Sequence, residues 1–411
     1  MKSNLPENHP GQPLHSRIGT ILTLVFLSLL VGSLVVVLSL MRHNTSPSQT
    51  TSLSNARSPS ALSLYVADGA GGQEKLDART GTLLWRFQTQ ARTISAPATV
   101  AAGSVYFGTI DGTIYALSAA SGKENWHFST GGAILGSPVV NGNIVYLGSD
   151  DGKLYALDAS TGTVHWSYYA GRGNEAVSLG TATVVNGVVY SNASNNVSHS
   201  YLFAVNAATG SALWNRQVDN QILSSPQVFN GQVYVTATTI APPSTGSHVF
   251  VFNVKDGSPS GPHTALSQPA LANDVSLAPP TVAGGVVFYG SRNGNVAALK
   301  ANSLASLWSH NVGGDVAASP VAYQKMLFVG MSTGTISDNA IIALNATNGQ
   351  LIWQHGLPNY TGANIVVIGG VLYVGTSTGG IYALNATNGS QQWVYQQSTP
   401  FSNTPIIVVA G

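Results

Sequence analysis

A chain of 411 residues can bury a sizeable core as two ordinary domains or one repeat-built domain, yet only 8% of it is Asp, Glu, Lys or Arg, against roughly 25% in an average soluble protein. The net charge of +1 offers no basic field for phosphates and argues against nucleic acid as a partner. The absence of cysteine excludes disulfides, thiol chemistry, cysteine metal sites and a lipid-bearing cysteine.

In chain order, a short tail (residues 1–17) precedes "IGTILTLVFLSLLVGSLVVVLSLM" (Ile18–Met41), 24 residues without a charge bracketed by Arg17 and Arg42. As a helix rising ~1.5 Å per residue this run crosses a hydrocarbon core of about 30 Å, and it exceeds the roughly 7–15 apolar residues of a cleaved signal peptide. Residues 18–41 therefore read as a single-pass transmembrane signal anchor. Lys2 and Arg17 on one side match Arg42 and Arg57 on the other, so the positive-inside count is tied. The expected arrangement places the tail inside, the large domain outside the cytoplasm and the protein in the cell membrane. Residues 42–61 are rich in Ser and Thr without apolar periodicity and read as a flexible linker.

From Leu62 onward the chain repeats itself. Its seven tryptophans, Trp85, Trp126, Trp166, Trp214, Trp308, Trp353 and Trp393, recur at steps of 40 to 48 residues, with one step of 94 that spans two repeats. The repeat without an indole survives as "VFNVKDGSPSGPH" (Val251–His263), so there are eight. Within "SPVVNGNIVYLGSDDGKLYALDASTGTVHWSYY" the β-branched and aromatic runs, cut by "NG", "DDG" and "DASTG", predict strands A to D at Pro138–Asn141, Asn143–Gly148, Lys153–Asp158 and Thr163–Tyr169. Asp77, Ser118, Asp158, Asn206, Asn253, Asn345 and Asn385 open the C–D turn as caps, with Lys300 in the sixth repeat.

Four antiparallel strands per period of about 40 residues is the unit of a β-propeller. The predicted fold is all-β: an eight-bladed propeller of four-stranded W-motif blades over residues 62–411, behind one transmembrane helix, and monomeric as a closed ring. Gly81, Gly122, Gly162, Gly210, Gly349 and Gly389 lie four residues before an indole. These tryptophans and glycines read as structural docking positions, each indole covering a neighbouring blade's turn where glycine leaves room. "LSLYVADG" (Leu62–Gly69) begins without an A strand and "NTPIIVVAG" (Asn403–Gly411) ends with an A strand alone, so the C-terminal strand is expected to complete the first blade.

The phrases "LYALDASTGTVHW", "IYALSAASGKENW" and "IYALNATNGSQQW" resemble the PQQ-like repeats of quinoprotein-type propellers, and the likeness runs from about Leu62 to Gly411. One branch of that family implies alcohol or sugar dehydrogenases that hold pyrroloquinoline quinone and calcium with acidic side chains, an Asn and often a vicinal cysteine pair. This chain has no cysteine, and its inner-strand segments contain no acid and one base, Lys325. No cofactor and no catalytic or metal residue is therefore expected, with pyrroloquinoline quinone and calcium as the alternative. The other branch is non-catalytic and includes the lipoprotein scaffold of the outer-membrane β-barrel assembly machinery. This chain is similar to it in size and repeat economy and departs from it in its apolar anchor.

Other motifs read as structural. The ten histidines, His127 and His165 among them, show no paired metal spacing and are expected on solvent-facing strand positions. "TIDG" (Thr109–Gly112) and "SDDG" (Ser149–Gly152) fall at B–C turns and read as turn residues. Sequons stand at Asn192, Asn196, Asn345, Asn359, Asn385 and Asn388. The insertions are Ser191–Ser200, Ala237–His248 and Met331–Ala340 at B–C turns, and Ala170–Gly180 and Ser260–Pro280 at D–A connections. All five fall on one face of the disk. That face is the expected protein-binding face, with Arg172, Glu175, His248 and Asp274 as candidate contacts. The reading that follows is a membrane-anchored, non-catalytic, protein-binding scaffold outside the cytoplasm. The alternatives are a quinone-dependent dehydrogenase or its relic, and a surface module that binds glycan or cell-wall polymer.

Overall fold

The computed structural model describes residues 62–410 except 92, 173–176, 196–198, 220, 240–246, 261–277, 335–337, 360–364 and 398–406. The apolar segment Ile18–Met41 and the linker lie outside the described residues, among which no helix is long and apolar enough to cross a membrane.

Eight antiparallel sheets follow one another along the chain. In blade 3 the strands are Val139–Asn141, Ile144–Gly148, Lys153–Asp158 and Val164–Tyr169, within one residue of the predicted bounds at every end. The inner A strands (Thr99–Ala101, Val139–Asn141, Thr183–Val185, Gln227–Phe229, Thr281–Ala283, Val321–Tyr323, Val366–Ile368 and Ile407–Ala410) stand beside one another in that order, and the last meets the first. The circle closes by strand pairing between the two ends of the domain. Ile407–Ala410 runs antiparallel to Ser63–Ala67, from Val66↔Ile407 to Ser63↔Ala410. Blade 5 departs from the pattern: its fourth strand is a single bridge, Phe252↔Pro259, among the described residues.

The B and C strands are buried along all but their ends, because a blade is covered on both faces. In blade 3, Val145 and Leu147 pack toward blade 2 while Tyr146 packs toward blade 4. An apolar run without polar alternation is the sequence signature of that double coverage. The D strands face water. A bulge in each regular C–D ladder, such as that between Ala343 and Leu344, turns two successive side chains outward, so Leu351 and Ile352 are 53% and 45% exposed.

Each indole reaches the next blade. The Nε1–H groups of Trp85, Trp126, Trp166, Trp214, Trp308, Trp353 and Trp393 donate to the backbone carbonyls of Ala119, Ala159, Ala207, Val254, Ala346, Ala386 and Ala78 at 2.9–3.2 Å. A Cβ added at Gly122, Gly162, Gly210, Gly257, Gly349, Gly389 or Gly81 would lie 2.5–2.9 Å from the same rings. The indole thus rests on a backbone with no side chain and donates to a turn carbonyl, which in several blades also accepts a tyrosine hydroxyl, as Ala159 does from Tyr106 and Ala207 from Tyr146. The junction between blades 5 and 6 has neither partner. Blade 6 carries Leu304 where the others carry glycine, at φ 54, and its side chain is buried with Tyr234, Val249 and Val251. Leucine fills the space the missing indole vacates and accepts a left-handed backbone to do so.

The seat can be separated from backbone strain by two glycines with positive φ. Gly142, at φ 61, has nothing within 4 Å of an added Cβ, whereas Gly162, at φ 74, would meet Trp126 at 2.6 Å. Gly142→Ala is expected to cost about 1 kcal/mol from left-handed strain alone. Gly162→Ala is expected to cost ~2–3 kcal/mol, because overpacking adds to that strain. Equal losses in urea denaturation would detach the indole seats from stability.

Candidate functional site: the loop face and the closing seam

The two faces of the disk differ in their turns. On one face the A–B hairpins are uniform two-residue turns, with closing pairs Ala101↔Ser104, Asn141↔Ile144, Val185↔Val188, Phe229↔Gln232, Ala283↔Val286, Tyr323↔Met326 and Ile368↔Val371. Ala102, Asn186, Asn230 and Gln324 take positive φ there, as a primed hairpin turn demands. On the opposite face three insertions lengthen the B–C ladders. Blade 4 pairs Val188–Ser194 with His199–Asn206 out to Ser194↔Ser200, and blade 5 pairs Gln232–Thr239 with Ser247–Asn253 out to Thr238↔Ser247. The third, in blade 7, adds the pair Met331↔Ala340. Short strands Ser178–Leu179 and Gln221–Leu223 pair with the extensions of blades 4 and 5. The expected loops are thus partly continued sheet, and they raise a wall on one side of this face.

Of the four candidate contacts, Arg172 is exposed and lies with its guanidinium 5.9 Å from the Tyr201 ring. His248 is on the blade 5 extension, opposite Ala237. Glu175 and Asp274 lie outside the described residues.

Sequence reasoning passed over a charged cluster at the seam where blade 8 meets blade 1. Strand C of blade 1 reads Gln73-Glu74-Lys75 where blade 2 has Ile114-Tyr115-Ala116 and blade 3 has Leu154-Tyr155-Ala156. Glu74 and Asp68 are 1% and 2% exposed. Arg86 binds both carboxylates: its Nη2 donates to Asp68 and its Nη1 stands 3.6 Å from Glu74 Oε1. From blade 8, Gln397 Nε2 and the Tyr395 hydroxyl donate to Glu74 Oε2 at 2.8 and 3.3 Å. Burial, reinforced by the Glu74 carboxylate, pushes the Tyr395 phenol up to about 12. On the other side Lys75 Nζ donates to the Ala119 carbonyl at 2.8 Å, beside the Trp85 indole, and burial lowers its ammonium. Blade 1 is therefore joined by charge on both sides, where other blades use aliphatic and aromatic contacts. The signal was present in the sequence as the one repeat whose C strand is charged in mid-run.

A calcium-dependent quinone site needs clustered hard oxygen ligands and a positioned carboxylate. The described inner strands carry neither Asp nor Glu, and among the described residues no group of three or more His, Cys, Asp or Glu is placed to hold a metal ion. That donor set does not fit the group. His127 and His165 are exposed on D strands, paired at 2.7 Å with Glu124 and at 3.7 Å with Asp158.

Eight four-stranded blades, closed by a strand from the far end and locked by indoles on neighbouring turns, define the PQQ-like repeat class of propeller. Residues 74–201, 197–260 and 262–410 match the family described as outer membrane protein assembly factor BamB, and the chain belongs to that family. It is 32% identical to BamB of Salmonella typhimurium over 87 residues, an alignment that spans 19% of this chain and 22% of that protein. The crystal structure of BamB from Moraxella catarrhalis superimposes with a TM-score of 0.55 at 19% identity, covering 82% of this chain and 92% of that one. The quinohemoprotein alcohol dehydrogenase ADHIIG of Pseudomonas putida HK5 gives 0.60 at 14% identity, covering 82% and 69%. These two likenesses are of fold.

Proposed function

We propose that the chain is a non-catalytic propeller scaffold, held outside the cytoplasm by its N-terminal apolar segment, that binds protein partners through the face bearing the B–C turns and D–A connections. The observation that carries this reading is the asymmetry of the faces. One keeps seven A–B turns of two residues each, whereas the other builds extended hairpins on blades 4, 5 and 7. Variation confined to one side of a rigid ring is how a scaffold acquires a binding surface. Family membership supports the scaffold role, and the charge-free inner strands support the absence of a cofactor.

The test is partner capture by the tagged full chain from detergent extract. Shortening the blade 5 hairpin to an Asn-Gly turn between Thr239 and Ser247 is expected to leave the ring folded and to lose a partner. Retention of every partner by the folded variant, with loss of one on a charge change in the two-residue turns, would reverse the assignment of faces. Pyrroloquinoline quinone and calcium added to the purified chain are expected to give no saturable absorbance change. Dye reduction on alcohols or sugars would restore the dehydrogenase reading.

A further inference from the structure

The low side of the same face carries a feature that its repeat does not require. Ile110 and Leu135 are each 48% exposed. Both belong to the loop cluster where blades 2 and 3 meet. There the Ile134 N–H donates to the Thr109 carbonyl at 3.1 Å, and the Asp150 N–H donates to the Ala133 carbonyl at 2.8 Å. Neither side chain is needed to seal the core, since Ile134 next door is 0% exposed and already does so. Where blade 2 has Ile110, blades 3, 6 and 8 have Asp150, Arg292 and Ser377, so the turn itself accepts polar residues.

Three carboxylates, Asp111, Asp150 and Asp151, stand on the B–C turns of this cluster. Asp111 Oδ1 accepts the Thr113 N–H at 3.3 Å, and Asp151 Oδ2 accepts the Gly131 N–H at 3.1 Å and the Tyr155 hydroxyl at 2.5 Å. Asp150 Oδ1 is buried without a protein partner. Among the described residues no lysine or arginine comes within ion-pair distance of any of the three. Lys153 lies instead over the Tyr155 ring at 6.0 Å. In a chain with 8% charged residues, these turns bring three carboxylates together with two exposed aliphatic side chains.

We propose that this cluster docks a segment of a partner protein in which aliphatic side chains alternate with lysine or arginine. The aliphatics lie against Ile110 and Leu135, and the cations face Asp111, Asp150 and Asp151. Charge complementarity fixes the occupant: an acidic segment or an anionic membrane surface is repelled, whereas a basic one is steered in and held by carboxylates that have no ion-pair partner among the described residues. A bound cation also relieves Asp150, whose carboxyl burial raises above its ordinary value. This inference deepens the scaffold reading and rests on it.

The probe is a short fluorescent peptide of alternating Lys and Leu, titrated onto the purified full chain and followed by anisotropy, with Glu-Leu and Lys-Ser peptides as controls. The Lys-Leu peptide is expected to bind best and to weaken as salt rises. Ile110→Ser with Leu135→Ser is expected to weaken it about tenfold, equivalent to ~1.4 kcal/mol. Asp111→Asn with Asp150→Asn is expected to remove most of the salt dependence. All four positions lie outside the main strands, and a melting curve for each double variant confirms the fold. Equal binding of the Glu-Leu peptide, or unchanged affinity in either folded double variant, overturns the site. Partner capture separates the two claims: patch variants that keep every partner, while the shortened blade 5 hairpin loses one, overturn this site and leave the scaffold standing.

Discussion

Replacing Arg86 by methionine is expected to cost about 3–5 kcal/mol, because it strands two carboxylates in a seam where water does not reach them. Methionine keeps the aliphatic stem and removes only the guanidinium, so the loss reads the charge rather than the packing. Asp68 still accepts the Ala70 and Gly72 N–H groups, and Glu74 still accepts from Gln397 and Tyr395, but their negative charges stand uncompensated. The repeat supplies its own control. Asp68→Thr, Glu74→Tyr and Arg86→Met together give blade 1 the Thr109 and Tyr115 chemistry of blade 2, and this triple variant is expected to recover most of the loss. A single Arg86→Met variant that melts like the parent would show that the seam is held by something other than these ions. A triple variant as weak as the single one would show that the charges themselves, and not their balance, specify the seam.

Truncation of the chain before Ile407 is expected to have the larger effect, roughly 5 kcal/mol or more, a substantial part of what holds a domain together. Of the five residues it removes, Ile407–Ala410 pair with Ser63–Ala67 from Val66↔Ile407 to Ser63↔Ala410 and stand between the inner strands Val366–Ile368 and Thr99–Ala101. Their loss turns Ser63–Ala67, buried throughout, into an unpaired edge at the channel, with backbone groups that no neighbour satisfies. Thermal denaturation of the truncated and full chains checks this. An unchanged transition would place closure of the ring elsewhere, and addition of the missing strand as a peptide should restore the transition if closure is as described.

How much of this was readable from the chain depends on the distance between partners. The strands of blade 3, the two-residue turns and the indole seats follow from residues within one repeat, or from the repeat's copy in the next. Strand closure was legible because each end of the domain lacked what the other supplied. The charged seam showed only as a charge in mid-strand, because the groups that receive Glu74, Tyr395 and Gln397, come from more than three hundred positions away. The segment "SNASNNVSHS" has the composition of a loop, and its continuation as sheet depends on Ser178–Leu179, a strand of two residues that no periodicity detects. Ile110 lies within "TIDG", which reads as an ordinary turn. Exposure is set by the blade beside it, which the motif does not contain.

The junction between blades 5 and 6 also determines what light can report. Every tryptophan of this chain is bound to a neighbouring blade, and each of the other seven junctions holds one. Indole emission therefore follows the separation of any two blades except those flanking Leu304, where the ring has no fluorophore. An opening confined to that junction is optically silent in tryptophan fluorescence while it alters the amide signal in circular dichroism. The difference between the two readings isolates one junction of eight without a single introduced label.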